Sequence, residues 1–351
     1  MLEEKLRGVN LAGWLVLEPW VTPSLFASTG TFDELNLASS LGSEKFEALI
    51  RHHRDTFITE EDFAAIEARG FNAVRLPIAW SVFGKDGPRP GVRLASISYV
   101  DAALDWAKAH NLKVLLCMAN TPSGNGARED QELLLGPTGA FRAPGLEVIR
   151  MLTERYKGHD AFFGIEPLDE PIAERWIGFS VQPGIPLRIL KNFYHDCYEV
   201  IRKVSPGKVA VVFSVAGAPG AWCHFMHQDC YVNVYLDMHM YHYGDQNDTR
   251  DASMIRHIVR GSKKELNKAF RSKKPVLVGE WSAALPVSVT SPTLEGRVAQ
   301  ERIYASAQIA SFKKTQGWFF QTWKTETKLS AWDARLALSS FERSFFSQTG
   351  W

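Results

Sequence analysis

Glu170 and Glu280 each close a hydrophobic run, GIEPLDEP ending at Pro171 and VLVGEW ending at Trp281. Glycosidic bond cleavage needs two carboxyl groups, one to protonate the leaving oxygen and one to attack the anomeric carbon or activate water. Pro171 biases Glu170 away from helical geometry, which predicts an extended strand with the side chain projecting at its end. On this reading Glu170 is the general acid/base. Glu280 follows four apolar or small residues, with Gly279 leaving room beside it, and is read as the nucleophile. The spacing in sequence does not fix the gap between the two groups, so retention and inversion both stay open. An isolated strand-end glutamate is more often a capping or salt-bridged carboxylate; two of them, on different strands of one sheet, reverse that balance.

The neighbours of these glutamates have types that suit the same chemistry. Glu166 shares parity with Glu170 and is expected to point inward but deeper, as a structural carboxylate. Asp237, His239 and Tyr241 recur at period two on one strand face. His239 can bond the acid/base or a sugar hydroxyl, and Tyr241 can donate to the nucleophile and hold it ionised. Arg75 lies in an otherwise apolar strand and would be costly to bury unpaired, so it is expected to neutralise a carboxylate such as Glu280. Trp323 can stack on a sugar ring, although inner packing explains it equally well. Asp169, beside Glu170, is expected to raise the acid/base pKa by like-charge repulsion if both face the site.

These residues must be positioned by strands. Eight runs read as strands, 6–14, 71–80, 112–120, 161–170, 208–216, 232–241, 275–283 and 317–325, and they alternate with amphipathic stretches at helical spacing. Eight β/α units in succession predict a TIM barrel, (β/α)8, folded as a single catalytic domain over 1–351, with catalytic groups at the C-terminal ends of the strands. The longer connections, about 15–56 and 121–142, are expected to build the rim of the site.

Composition narrows the class further. Lys plus Arg total 40 against Asp plus Glu 39, a net charge of +1, which gives no electrostatic footprint for nucleic acid or an anionic membrane and suits a neutral carbohydrate substrate. Cys117, Cys197, Cys223 and Cys230 lack zinc-site spacing and are expected to be free thiols; no metal or cofactor is expected. The N-terminus is acidic where a signal peptide would be basic and apolar, and no apolar run approaches the ~18 residues of a membrane span. The chain as given is therefore expected to be soluble and cytoplasmic, or secreted if it is a processed form.

Several motifs together resemble one family. GVNLAGWLVLEPWVTPSLF (8–26), RLPIAW (75–80), the LDEP segment, DMHMY (237–241), VGEW (278–281) and GWFFQTWKTE (317–326) follow the order seen in exo-β-1,3-glucanases of glycoside hydrolase family 5. The resemblance implies a (β/α)8 fold, retention of configuration, no metal, and attack on β-glucosides or β-1,3-glucan from the non-reducing end. It implies that Glu170 is the acid/base and Glu280 the nucleophile, that Glu18 binds the outer hydroxyls of the terminal glucose, and that Arg75, His239, Tyr241 and Trp323 line the same subsite. The chain departs from the family pattern at three places. Asp169 stands where the family has the Asn of NEP, Ala119 stands where it has a histidine, and Gln321 replaces a tryptophan. An ionised Asp can only accept hydrogen bonds, so Asp169 and Ala119 point to an alternative, a β-glycosidase for a modified sugar or small glycoconjugate. A catalytically weak carbohydrate-binding barrel is the rival from another class.

Overall fold

The structure, a computed structural model, describes residues 4–88, 94–120, 142–177, 180–242, 253–287, 290–341 and 346. Eight parallel strands close into a barrel: β1 (Leu6–Asn10), β2 (Ala73–Ala79), β3 (Lys113–Asn120), β4 (Phe162–Glu166), β5 (Ala210–Ser214), β6 (Val234–Met240), β7 (Val276–Trp281) and β8 (Gly317–Phe320). Each strand pairs with its sequence neighbours, and β1 pairs with β8 to complete the ring. The strands are continuous apolar runs because the outer face is covered by helices and the inner face is packed. The chain is a TIM barrel, as its sequence pattern predicts.

The inner packing explains where polar groups can sit. Leu6, Ala73, Leu115, Phe163, Ala210, Val212, Tyr235, Leu277 and Phe319 fill the barrel as one apolar plug. One step of period two toward the C-terminal ends carries Ala73 to Arg75 and Tyr235 to Asp237, so a buried polar layer of Asn10, Arg75, Glu166 and Asp237 rests directly on that plug. A register shift between Val114 and Leu115 on β3 leaves Phe163 as the extra residue on β4, and this keeps Glu166 facing inward opposite Cys117.

Helices Glu60–Ala68, Ile97–Ala109, Arg142–Tyr156, Leu187–Val204, Ser253–Phe270 and Leu294–Ser311 form the outer layer. The first is started by a capping box in which Asp62 accepts from the Thr59 N–H. The expectation of eight regular β/α units needs correction at β5. Its connection to β6 contains only the 3-10 turn Pro219–Trp222, where Pro219 and Gly220 break helical geometry and Trp222 packs on Tyr194 and Phe225.

Several strands are shorter at their C-terminal ends than their sequence pattern predicts. β1, β4 and β8 stop at Asn10, Glu166 and Phe320, and the residues beyond bend away as loops at the barrel mouth. Residues 15–56 are not only loop, because they carry helices Ser24–Ala27, Glu34–Leu41 and Ser43–Thr56 around a satellite core of Leu17, Phe26, Leu37, Phe46 and Ile50. Most of the second expected rim segment, 121–141, lies outside the described residues. A short antiparallel hairpin, Arg175–Ile177 with Ser180–Gln182, follows β4. All four cysteines are free thiols. No helix of the described residues is long and apolar enough to cross a membrane.

Candidate active site

Arg75 is the hub of the mouth. Its side chain is fully buried, and its guanidinium uses the planar fork of donors to reach four groups: Nε donates to Glu166 Oε2 at 2.8 Å, Nη1 to Asn10 Oδ1 at 2.9 Å and Glu280 Oε1 at 2.7 Å, and Nη2 to Asp169 Oδ1 at 2.6 Å. The expected partner, Glu280, is therefore present, together with two carboxylates more. Burial opposes the charge of Arg75, but the surrounding anions hold its pKa well above the ordinary value.

Glu280 reaches the lumen because of Gly279. Along β6 and β7 the register runs Asp237 to Leu277 and Met238 to Val278, then jumps to His239 opposite Glu280. Gly279 is the extra residue of a β-bulge, and this bulge turns Glu280 inward beside His239. A Cβ on Gly279 would lie 2.1 Å from Asp237 Oδ2, so only glycine fits there. Its backbone is used as well: the N–H donates to Asp237 Oδ1, and the carbonyl accepts from Asn10 Nδ2 at 2.8 Å.

Glu280 accepts from Arg75 on one oxygen and from the Tyr241 hydroxyl on the other. Burial, followed by the charges of Asp169 and Glu170, nevertheless pushes its pKa up to about 7 against the pull of His239 and Arg75. Tyr241, buried beside that carboxylate, has its own pKa raised well above the ordinary phenol.

His239 joins the two glutamates. Nδ1 lies 2.7 Å from Glu170 Oε1 and 3.5 Å from Glu280 Oε2, while Nε2 lies 3.0 Å from Asp237 Oδ2. Burial disfavours an imidazolium, but Glu280 and Asp237 outweigh it and raise the His239 pKa well above its usual value, so both ring nitrogens donate. Two contacts on one nitrogen bring the nearest oxygens of Glu170 and Glu280 within the ~6.5 Å at which inverting enzymes begin.

Two expectations about Glu170 are corrected here. It does not end an extended strand, because it lies in a bend past β4 with φ of 41°, a left-handed conformation that turns the side chain toward His239. Its pKa is not raised beside Asp169 but lowered. Burial pushes upward, but the hydrogen bond and charge of His239 prevail and hold it below the ordinary carboxylate value. Asp169 acts elsewhere, pushing up Glu280, Glu166 and Glu18.

Glu18 accepts from Trp20 Nε1 at 2.8 Å, and burial, then the charge of Glu280, raises its pKa to about 8. It lies near enough to the mouth for the charges of Glu280 and Asp169 to act on it. Trp323 does not line the mouth. The residue is 2% exposed, its indole N–H donates to Asp62 at 2.8 Å, and Arg69 lies over its face at 5.6 Å. Because β8 stops at Phe320, Trp323 falls in the turn behind the strand and packs into the outer core. Gln321 is buried, and Ala119, half-buried on β3, carries no polar side-chain atom.

Residues not singled out from the sequence complete the mouth. Trp332 packs on Tyr241 with ring centroids 5.5 Å apart and on Trp20 at 5.3 Å, giving an aromatic wall between the groups that hold Glu280 and Glu18. Asn10 ties Arg75 to the bulge. The EPW tripeptide at Glu18 is a local signal for Trp20; Trp332, far along the chain, has none. Trp332→Ala should lower kcat/KM about tenfold, mostly through KM, since a sugar–ring contact is worth ~1 kcal/mol. An unchanged KM would show that the wall is not used.

Three triads, Cys117–Glu166–Asp169, Glu166–Asp237–His239 and Asp169–His239–Glu280, have ligand atoms close enough to hold a metal. Arg75 bonds Glu166, Asp169 and Glu280 and so already supplies the cation they surround.

A parallel barrel with paired carboxylates at its C-terminal mouth, set by an arginine, a tyrosine and a histidine, is built for cleaving glycosidic bonds. Residues 39–323 match the family described as cellulase (glycosyl hydrolase family 5), and the chain belongs to that family. It is a glycoside hydrolase and binds carbohydrate. It is 35% identical to the probable glucan 1,3-beta-glucosidase A of Emericella nidulans, over 97% of this chain and 90% of that one. It is 29% identical to the glucan 1,3-beta-glucosidase of Schwanniomyces occidentalis, over 99% and 90%. Among solved structures it resembles rutinosidase from Aspergillus niger, with a TM-score of 0.75, 20% identity, and 94% and 93% of the two chains covered.

Proposed function

We propose that the whole chain is one catalytic barrel that cleaves β-glucosides or β-1,3-glucan from the non-reducing end with retention, Glu280 acting as nucleophile and Glu170 as acid/base. The observation that carries this reading is the placement of His239 Nδ1 against both carboxylates, 2.7 Å from Glu170 and 3.5 Å from Glu280. That arrangement leaves less room between them than a separately activated water needs. The glucan preference is supported by the names of the relatives.

In the first step a Glu280 oxygen bonds the anomeric carbon as the C1–O bond breaks, and the leaving oxygen takes a proton from Glu170. In the second, Glu170 removes a proton from water as the water displaces Glu280 and frees the sugar with its original configuration. The free protein holds Glu170 ionised and His239 charged, so the proton needed in the first step sits one hydrogen bond away, on Nδ1. Transfer along that 2.7 Å bond leaves neutral histidine and a carboxylic acid ready to donate. Arg75 and Tyr241 fix the Glu280 carboxylate in place for attack, and Glu18 with the Trp20–Trp332 wall grips the far side of the sugar.

A leaving-group series tests the acid/base role. For Glu170→Ala, aryl glycosides of acidic phenols should keep their glycosylation rate within about tenfold, while disaccharides should lose about 10³-fold, since only the poor leaving group needs a proton. Equal losses across the series would remove Glu170 from that role.

A further inference from the structure

Asp169 is a carboxylate of the mouth that takes no part in the two-step reaction, and unlike Glu166 and Asp237 beneath it, it is partly exposed. Asp169 precedes Glu170 in the chain and shares Arg75 with Glu280, so it flanks the point where the anomeric carbon must lie. Its side chain is 23% exposed, and Oδ1 is taken by Arg75 at 2.6 Å. Its backbone N–H bonds Met118 O on β3, where Met118 and Ala119 provide no side-chain donor. A carboxylate can only accept, so whatever meets its open edge must donate.

Charge decides what kind of donor fits. Among the described residues two cations, Arg75 and His239, serve five carboxylates at this mouth: Glu166, Asp169 and Glu280 on the first, and Glu170 and Asp237, with Glu280 at 3.5 Å and Asp169 at 4.0 Å, on the second. Glu18 adds a sixth acid near enough to interact with them. Burial first, and then neighbouring acids that include Asp169, raises the pKa values of Glu18, Glu166 and Glu280, so each added negative charge here is felt. A substrate hydroxyl would satisfy the acceptor but leave the imbalance. An ammonium brings three donors and the missing charge.

We propose that Asp169 is a specificity-determining residue, and that the sugar this site takes best carries an amine on the carbon next to the anomeric centre, bound as an ammonium against the open edge of Asp169. The inference rests on the assignment of Glu170 and Glu280 made above, since those groups place the anomeric carbon and hence its neighbour. An ammonium there also offsets the repulsion between Asp169 and Glu280, which favours the ionised nucleophile.

The test compares 4-nitrophenyl β-D-glucosaminide, β-D-glucoside and 2-acetamido-2-deoxy-β-D-glucoside as substrates. Wild type should show a kcat/KM at least about tenfold higher on the amine than on the glucoside, and the neutral acetamide should not share the advantage. In Asp169→Asn the amine should lose about tenfold or more, while the glucoside holds or gains. A wild-type enzyme that prefers the glucoside overturns the proposal without reference to any variant, and so does an amine-to-glucoside ratio unchanged in Asp169→Asn. If wild type cleaves none of the three, the catalytic assignment fails, and titration calorimetry of the amine and the glucoside on Glu280→Gln decides the amine claim separately. Tighter binding of the amine by about tenfold upholds it; equal or weaker binding refutes it.

Discussion

Replacing Glu280 with alanine is expected to lower kcat about 10⁴-fold or more, a loss of roughly 5 kcal/mol of transition-state stabilisation, because no other described carboxylate sits on the bulge facing His239. The cavity left by the side chain should admit azide, and turnover should return as a β-configured substrate gives an α-configured glycosyl azide. In wild type the same residue should set the acidic limb of the pH profile. Glu280 attacks only when ionised, and a carboxyl pushed up to about 7 becomes ionised as pH rises through 7, so kcat/KM should fall as pH drops below about 7. An acidic limb near pH 4 would show that the buried charges at the mouth are better compensated than the geometry indicates. A Glu280→Ala enzyme with near wild-type turnover and no response to azide would remove Glu280 as nucleophile.

Arg75→Met should have the largest effect on folding. The side chain is similar in length but carries no charge, and its absence leaves Glu166, Asp169 and Glu280 around an apolar stem. Removing one partner from a buried charge network costs about 3–5 kcal/mol. The pH dependence follows from the sign of the shift. Without the guanidinium Glu166 and Glu280, already raised by burial, move further above their unfolded pKa values, so the folded state binds more protons and gains stability as pH falls. Urea midpoints should therefore show a large deficit at pH 7 that shrinks at pH 5. A deficit under about 1 kcal/mol, or one independent of pH, would mean that Arg75 is not the counter-charge of the mouth.

The parts of this site that were legible in the sequence are those governed by local rules. Strand-end position singled out Glu280, period two put Asp237, His239 and Tyr241 on one face, and the cost of burying an unpaired cation tied Arg75 to Glu280, whereas Glu170 lies in a bend past β4 that the extended-strand reading did not foresee. What was not legible depends on long-range register. The bulge at Gly279 exists because β7 must meet Asp237 on the neighbouring strand, and Trp332 reaches Tyr241 only once the loop after β8 is folded. Trp323 lies in the outer core, away from the subsite that the resemblance implies, for the same reason. A motif gives the residue type, but β8 ending at Phe320 decides that the ring turns toward Asp62 instead of the sugar. The missing helix between β5 and β6 was obscured because Pro219 and Gly220 weigh against a helix only when the length of the connection is known.

The central claim, that Glu280 forms a covalent glycosyl ester, is tested most directly by trapping it. Incubation with a 5-fluoro-β-glycosyl fluoride, followed by proteolysis and mass spectrometry, should show one equivalent of sugar on the peptide containing VLVGEW, with fragmentation placing it on Glu280. The label should be absent from Glu280→Gln. Label on Glu166, Asp169 or Glu170, or an unlabelled enzyme that releases product of inverted configuration, would contradict the account.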